Sequence, residues 1–246
     1  MMFSLKIQRV LGAGMLAIFA LLQGCGGSQP ADETGGISCQ PPADITITDV
    51  QSVVDWINAM EKPLTLPCFI ESLPRPLKIQ SAFSEFSAQP SPDYSSPRIF
   101  LFFDQLILTV AVDQNFAEFP HPLLEMSYLV DEANLITTKA ELKFPVVDTL
   151  SPASPYMGLS FNDRISQCSF CHPRESVRDR IDEVPIYQSS ILKPTVPLSI
   201  DRLYSANINC ERDKQAHRCA MLSSIVDHGE LRPHAFPAGA PTIFDN

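Results

Sequence analysis

Apolar residues recur along the chain with two different periods. After Asp49, an N-cap residue type, Val50, Val53, Val54 and Ile57 fall at helical spacing and Pro63 marks the end. This predicts an amphipathic helix with one buried face, on which Trp56 and Met60 are packing residues. The period then changes. Residues 98–103 and 106–112 are rich in Ile, Leu, Val and Phe and are separated by Asp104-Gln105, the pattern of a hairpin with a tight turn. Residues 77–82, 124–130 and 135–146 have strand composition, with a turn at 131–134. Connections this short favour antiparallel pairing. Phe83, Phe86, Phe100, Phe102, Phe103, Phe116, Phe119 and Phe144 are core candidates. Residues 39–150 therefore predict a small antiparallel β sandwich or half-barrel with a packed helix, and the chain as a whole an α+β fold.

Past Leu150 the texture shifts. Ser151-Pro152-Ala153-Ser154-Pro155 marks a boundary, and prolines recur to the C-terminus, so residues 151–246 predict a loop-rich, partly helical segment. A helix is expected over 213–227, with Leu222, Ile225 and Val226 on its apolar side and Gly229 closing it. His121, between Pro120 and Pro122, reads as a surface loop residue.

The first residues address the compartment. Lys6 and Arg9 form a short positive region, and residues 10–22 form an apolar stretch too short for a comfortable membrane span, so residues 1–24 read as a signal peptide. Leu22-Gln23-Gly24-Cys25 resembles the lipobox of bacterial lipoproteins, although Gln23 is larger than the residue usual there. The resemblance implies acylation of Cys25 and a lipid anchor in the cell envelope. Gly26, where aspartate would favour retention in the inner membrane, implies the outer membrane, facing the periplasm or the exterior. Residues 25–38, with Gly26, Gly27, Gly35 and Gly36, read as a flexible tether.

The chemistry is concentrated in Cys168-Ser169-Phe170-Cys171-His172. With seven Cys and five His in 246 residues, shuffling yields a Cys-x-x-Cys-His pattern only about 0.004 times. The pentapeptide resembles the attachment motif of single-haem c-type cytochromes. That resemblance implies one haem c, thioether-bonded to Cys168 and Cys171, with His172 as the proximal iron ligand. Pro173 departs from the helical setting usual in small cytochromes c. A methionine well downstream completes the resemblance and implies Met221 as the sixth ligand. On an ideal helix His217, Met221 and His228 lie within about 40° of one another, and His217, His228, His234 or an open position are the competing assignments. Arg174, Arg178 and Arg180 are candidates to pair with haem propionates.

Cysteine counting agrees with an oxidising compartment. Setting aside Cys25, Cys168 and Cys171 leaves Cys39, Cys68, Cys210 and Cys219, an even number. Three pairings exist, and the local ones, Cys39 with Cys68 and Cys210 with Cys219, are favoured. The full chain has 18 Lys+Arg against 28 Asp+Glu, a net charge of −10; removing Lys6 and Arg9 takes it to about −12. So acidic a surface, with no basic block interleaved with aromatics, argues against a nucleic-acid partner and suits a basic redox partner.

The expectation is an envelope lipoprotein that carries one haem for one-electron transfer or a related redox role. The alternative is a non-haem lipoprotein, a binding or structural module. In it Cys168, Cys171 and His172 hold zinc with Cys210 or Cys219, or Cys168 and Cys171 form a disulfide. Hydrolytic signatures such as His-Glu-x-x-His, Gly-x-Ser-x-Gly and a phosphate-binding glycine loop are absent. So is the second haem motif that a dihaem peroxidase needs.

Overall fold

Asp49 starts the first helix through a reciprocal capping box: its carboxylate accepts from the Ser52 amide at 2.8 Å, and the Ser52 hydroxyl accepts from the Asp49 amide at 2.9 Å. Helix α1, Val50–Ala59, buries Val50, Val53, Val54, Trp56 and Ile57. Helix α2, Leu66–Ser72, is capped by Thr65 and carries Pro67 in its first turn, where a missing amide costs nothing. The Trp56 indole donates to the Ser72 hydroxyl at 3.0 Å, fixing the two helices together.

The protein is described by a computed structural model that covers residues 39–245, apart from 85, 86, 88, 90, 92, 113–121, 163 and 173. The signal segment, Cys25, the tether, Phe86, Phe116, Phe119, His121 and Pro173 lie outside the described residues.

Among the described residues nine strands form one sheet. In chain order they are β1 Leu77–Phe83, β2 Arg98–Phe103, β3 Leu106–Ala111, β4 Leu123–Asp131, β5 Ile136–Lys143, β6 Ser176–Ile181, β7 Val184–Ser190, β8 Val196–Leu198 and β9 Leu231–Pro233. Their order across the sheet is β6-β7-β5-β4-β3-β2-β1-β8, with β9 also pairing with β1. Every pairing is antiparallel except β1 with β9. The hairpin at Asp104-Gln105 pairs Phe103 with Leu106, as the apolar runs predict.

Helices α1 and α2 are joined by α3, Ile200–Ile208, and α4, Ala216–Val226. The main core gathers Trp56, Phe69, Leu203 and Leu222 with sheet residues such as Ile99, Leu108, Leu124 and Met126. These strand residues share parity, so the helices cover one face. Phe100, Phe102, Ile107, Ile191 and Ala240 cluster apart from them, on the opposite face, with Phe236 packed against them. Disulfides join Cys39 to Cys68 and Cys210 to Cys219, with Cα separations of 5.1 and 5.6 Å.

Two expectations change. The α+β class with a largely antiparallel sheet and packed helices holds, but the strands form one sheet and not the two stacked sheets of a sandwich, and it is covered on both faces: all six residues of β3 are buried, under helices on one side and irregular chain on the other. The helix expected over 213–227 is present as α4, but the loop-rich stretch after residue 150 holds more regular structure than expected. It also contributes α3 and strands β6 to β9, the strands all in the same sheet. Pro197 obscured β8, and Pro185 and Pro197 sit near the two sheet margins, where a missing amide is tolerated.

Candidate functional site

Strand parity makes the face opposite the helices polar at one end. Thr109 of β3 stands across from Glu125 of β4, which stands across from Glu141 of β5. In the next row Ile107 faces Ser127, which faces Lys139, and beyond it Thr137 faces Ser189 of β7. A buried polar ledge results. Arg98 pairs with Glu125. Lys139, only 4 % exposed, donates to the Thr137 hydroxyl at 2.7 Å. Burial pushes the Lys139 ammonium down to about 8, against the opposing pull of Cys168, Glu125 and Glu175.

The Cys-x-x-Cys-His pentapeptide lies over this ledge. A single 3-10 turn, Gln167–Phe170, starts at Ser166, whose hydroxyl accepts from the Cys168 amide at 2.9 Å. Glu175 grips Ser166 twice, accepting from its amide at 2.5 Å and from its hydroxyl at 2.7 Å. The turn closes where the Cys171 and His172 amides both donate to the Cys168 carbonyl, at 3.1 and 2.8 Å. The motif is thus held by a serine–carboxylate clamp on a single turn.

His172 is tied to β7 by its Nδ1, 3.0 Å from the Ser190 carbonyl oxygen. A carbonyl only accepts, so Nδ1 carries the proton and Nε2 keeps a free lone pair. Burial first, and the nearby Lys139 charge second, push the imidazole down to about 3, so the ring is neutral at physiological pH. Both thiols are free and partly buried. Desolvation pushes the Cys168 thiol up to about 11, which keeps it protonated.

Apolar surface is left uncovered beside the motif. Phe161 and Phe170 are 61 % and 77 % exposed, and their rings meet edge to face with centroids 5.8 Å apart. The segment bearing Phe161 is fastened to the motif, since Gln167 donates to the Leu159 carbonyl at 2.9 Å and Ser160 bridges to Ser166. Behind it Tyr187, fully buried, donates to the Asn162 carbonyl at 2.8 Å and lies 2.6 Å from the Ser160 hydroxyl.

The sequence-designated distal ligands are placed elsewhere. Met221 is buried in the main core on the helix-covered face of the sheet, whereas Lys139 and the motif are on the other. His217 is exposed on α4, and the Nδ1 of His228 is 3.5 Å from Glu71. His234 rests against Phe102, ring centroids 4.6 Å apart. Phe102 and Lys139 are in one cross-strand row three strand spacings apart, roughly 14 Å. None of these four is brought to His172. Of the three arginines, Arg178 donates to Gln188 and Arg180 to the Glu183 carbonyl, while Arg174 is exposed.

The zinc alternative loses its fourth ligand, because Cys210 and Cys219 are bonded to each other. Among the described residues no group of three or more His, Cys, Asp or Glu is arranged to hold a metal ion. No helix among them is long and apolar enough to cross a membrane. Sequence reasoning missed the Ser166–Glu175 clamp and the Lys139 ledge, since neither leaves a periodic signal. Compared with known proteins, the chain matches no family model, no curated protein and no solved structure.

Proposed function

We propose that the chain is a lipid-anchored protein of the bacterial cell envelope that carries one covalent haem c on residues 151–246 and serves one-electron transfer. The carrying observation is the bond from His172 Nδ1 to the Ser190 carbonyl. Metal-ligating histidines donate their second ring nitrogen to an oxygen acceptor, which fixes the tautomer and aims the other nitrogen at the metal. Here that leaves Nε2 bare on a neutral ring, within a Cys-x-x-Cys-His motif whose thiols are unbonded.

Haem supplies a one-electron iron couple whose potential follows its axial ligands and surroundings. Each thiol would add across one vinyl group, with sulfur forming the thioether bond and the thiol hydrogen passing to the vinyl carbons, so attachment involves no net oxidation. His172 would supply an iron ligand, and the exposed Phe161 and Phe170 would offer apolar cover for the haem. A disulfide-exchange role is the weaker reading: it needs an accessible thiolate, and the Cys168 thiol is held protonated by burial.

The reading is tested by expressing the full chain with a haem-ligation system and extracting denatured protein with acidified acetone. Porphyrin absorbance should stay with the polypeptide of the wild type and be lost from a Cys168→Ser/Cys171→Ser variant. Colour that extracts fully from the wild type would overturn covalent attachment.

A further inference from the structure

We propose that a cavity between helices α3 and α4 binds a sugar acid, a small polyhydroxylated monocarboxylate; this stands apart from the haem reading. The cavity measures about 620 Å³, within the size range of small-molecule sites. Its walls are the start of α3, the turn that leaves α3, the start of α4 and the turn before β2.

Two guanidiniums line it. Arg218 of α4 is only 6 % exposed, and its hydrogen bonds all go to neutral acceptors. It donates to the Ser96 hydroxyl at 3.0 Å, the Cys210 sulfur at 3.3 Å, the Gln215 side-chain oxygen at 2.9 Å and the Ser95 carbonyl at 2.7 Å. The Cys210–Cys219 disulfide beside it ties α4 to the end of α3. Arg202 of α3 lies over the Tyr94 ring, 5.8 Å from its centroid, and that ring packs on Phe83 with centroids 4.8 Å apart. Among the described residues neither guanidinium is ion-paired, and the Arg202 side chain makes no hydrogen bond. Buried cations are ordinarily paired. The Asp93 carboxylate, which feels Arg218 from further off, is engaged by the Ser95 amide and hydroxyl, both at 2.7 Å, and by the Ser96 amide at 2.9 Å.

The charges of the lining select the ligand. Two cations against Asp201, its single acidic member among the described residues, leave one positive charge in the cavity of a chain whose net charge is −10. That balance fits a monoanion, and a planar guanidinium edge meets a carboxylate with two parallel hydrogen bonds. The remaining lining is mostly polar. Ser199 starts α3 without its hydroxyl capping an amide, Asn209 presents an amide, and Gln215 keeps its Nε2 once Arg218 has taken its oxygen. Such groups, with Asp201 as an acceptor, match hydroxyls and not hydrocarbon, so the body that carries the carboxylate is a sugar.

The test is calorimetric titration of the full-length protein with glucuronate, galacturonate, glucose and inorganic phosphate. At least one uronate should bind with a Kd on the order of 1 mM or tighter, and glucose and phosphate about tenfold more weakly or worse. Arg202→Ala and Arg202→Gln, at an exposed position, should each weaken uronate binding about tenfold or more. Arg164→Ala, an exposed arginine outside the cavity, should leave it unchanged. Circular dichroism checks that each variant folds. Absence of uronate binding overturns the proposal. So does glucose or phosphate binding as tight as that of the uronate, or a folded Arg202 variant that keeps the wild-type affinity.

Discussion

The imidazole Nδ1 of His172 and the carbonyl oxygen of Ser190 are 3.0 Å apart, so the last residue of the haem-type motif is hydrogen-bonded to the last residue of strand β7. That contact fixes the tautomer, and the Glu175 grip on Ser166 fixes the turn before it. The motif is therefore preformed on the sheet without a helix to carry it.

Lys139 is buried on the ledge at a cost to its charged form. A shift from 10.5 to about 8 corresponds to about 3 kcal/mol of unfavourable burial for the charged form. Lys139→Met keeps the stem and removes the charge, and it should stabilise the protein at neutral pH by about 1–3 kcal/mol in urea unfolding. Destabilisation would mean that the bond to Thr137 and the pull of Glu125 and Glu175 outweigh the cost of burial.

Glu141 gives a pH dependence of known sign. It stands directly across from Glu125, and burial first, with the like charge second, pushes its carboxyl from 4.5 up to about 6. The folded state then holds more protons than the unfolded one between about 4.5 and 6, so this group's contribution to stability falls as pH rises through that window. Glu141→Gln should flatten that fall and add about 1 kcal/mol at pH 7, read by thermal unfolding against pH.

Arg75 joins the ends of two helices. Its guanidinium donates to the Ser224 carbonyl at 2.7 Å and the Ile225 carbonyl at 2.8 Å in α4, and to Ile70 of α2 at 3.5 Å. Arg75→Ala should cost about 2–3 kcal/mol. A Cβ at Gly229 would sit 2.9 Å from Arg75 Cγ, and Gly229 has φ +133°. Gly229→Ala should itself cost about 1–3 kcal/mol. The two losses should be less than additive in the double variant, because the clash goes with the arginine while the φ strain stays.

The two disulfides should contribute unequally. Loops of 29 and 9 residues correspond, by chain entropy, to about 3.6 and about 2.6 kcal/mol. Replacing Cys39 and Cys68 by serine should lower the urea midpoint more than replacing Cys210 and Cys219. Fluorescence of the single, buried Trp56 is a convenient probe.

Legibility followed periodicity. Val50, Val53, Val54 and Ile57 announced α1, and the apolar runs around Asp104-Gln105 announced the central hairpin, because burial of one or both faces writes itself into spacing. The hairpin of β6 and β7 turns through Asp182 and Glu183, both at positive φ, without the glycine or asparagine that usually marks such a turn. It was invisible for that reason. In the site, the pentapeptide was legible because its spacing is local. Lys139 and Glu175 were not, since only sheet register and a return of the chain bring them beneath it. Met221 illustrates the converse: its helical phase matched that of His217 and His228, yet Met221 itself packs into the main core.

Mass spectrometry of the peptide containing Cys168 to His172, from full-length protein exported by cells with haem-ligation machinery, tests the central claim most directly. A single peptide whose two cysteines share one haem adduct, with visible bands that persist after unfolding, is the predicted result. An unmodified peptide with two alkylatable thiols, from colourless protein in the envelope, would contradict it.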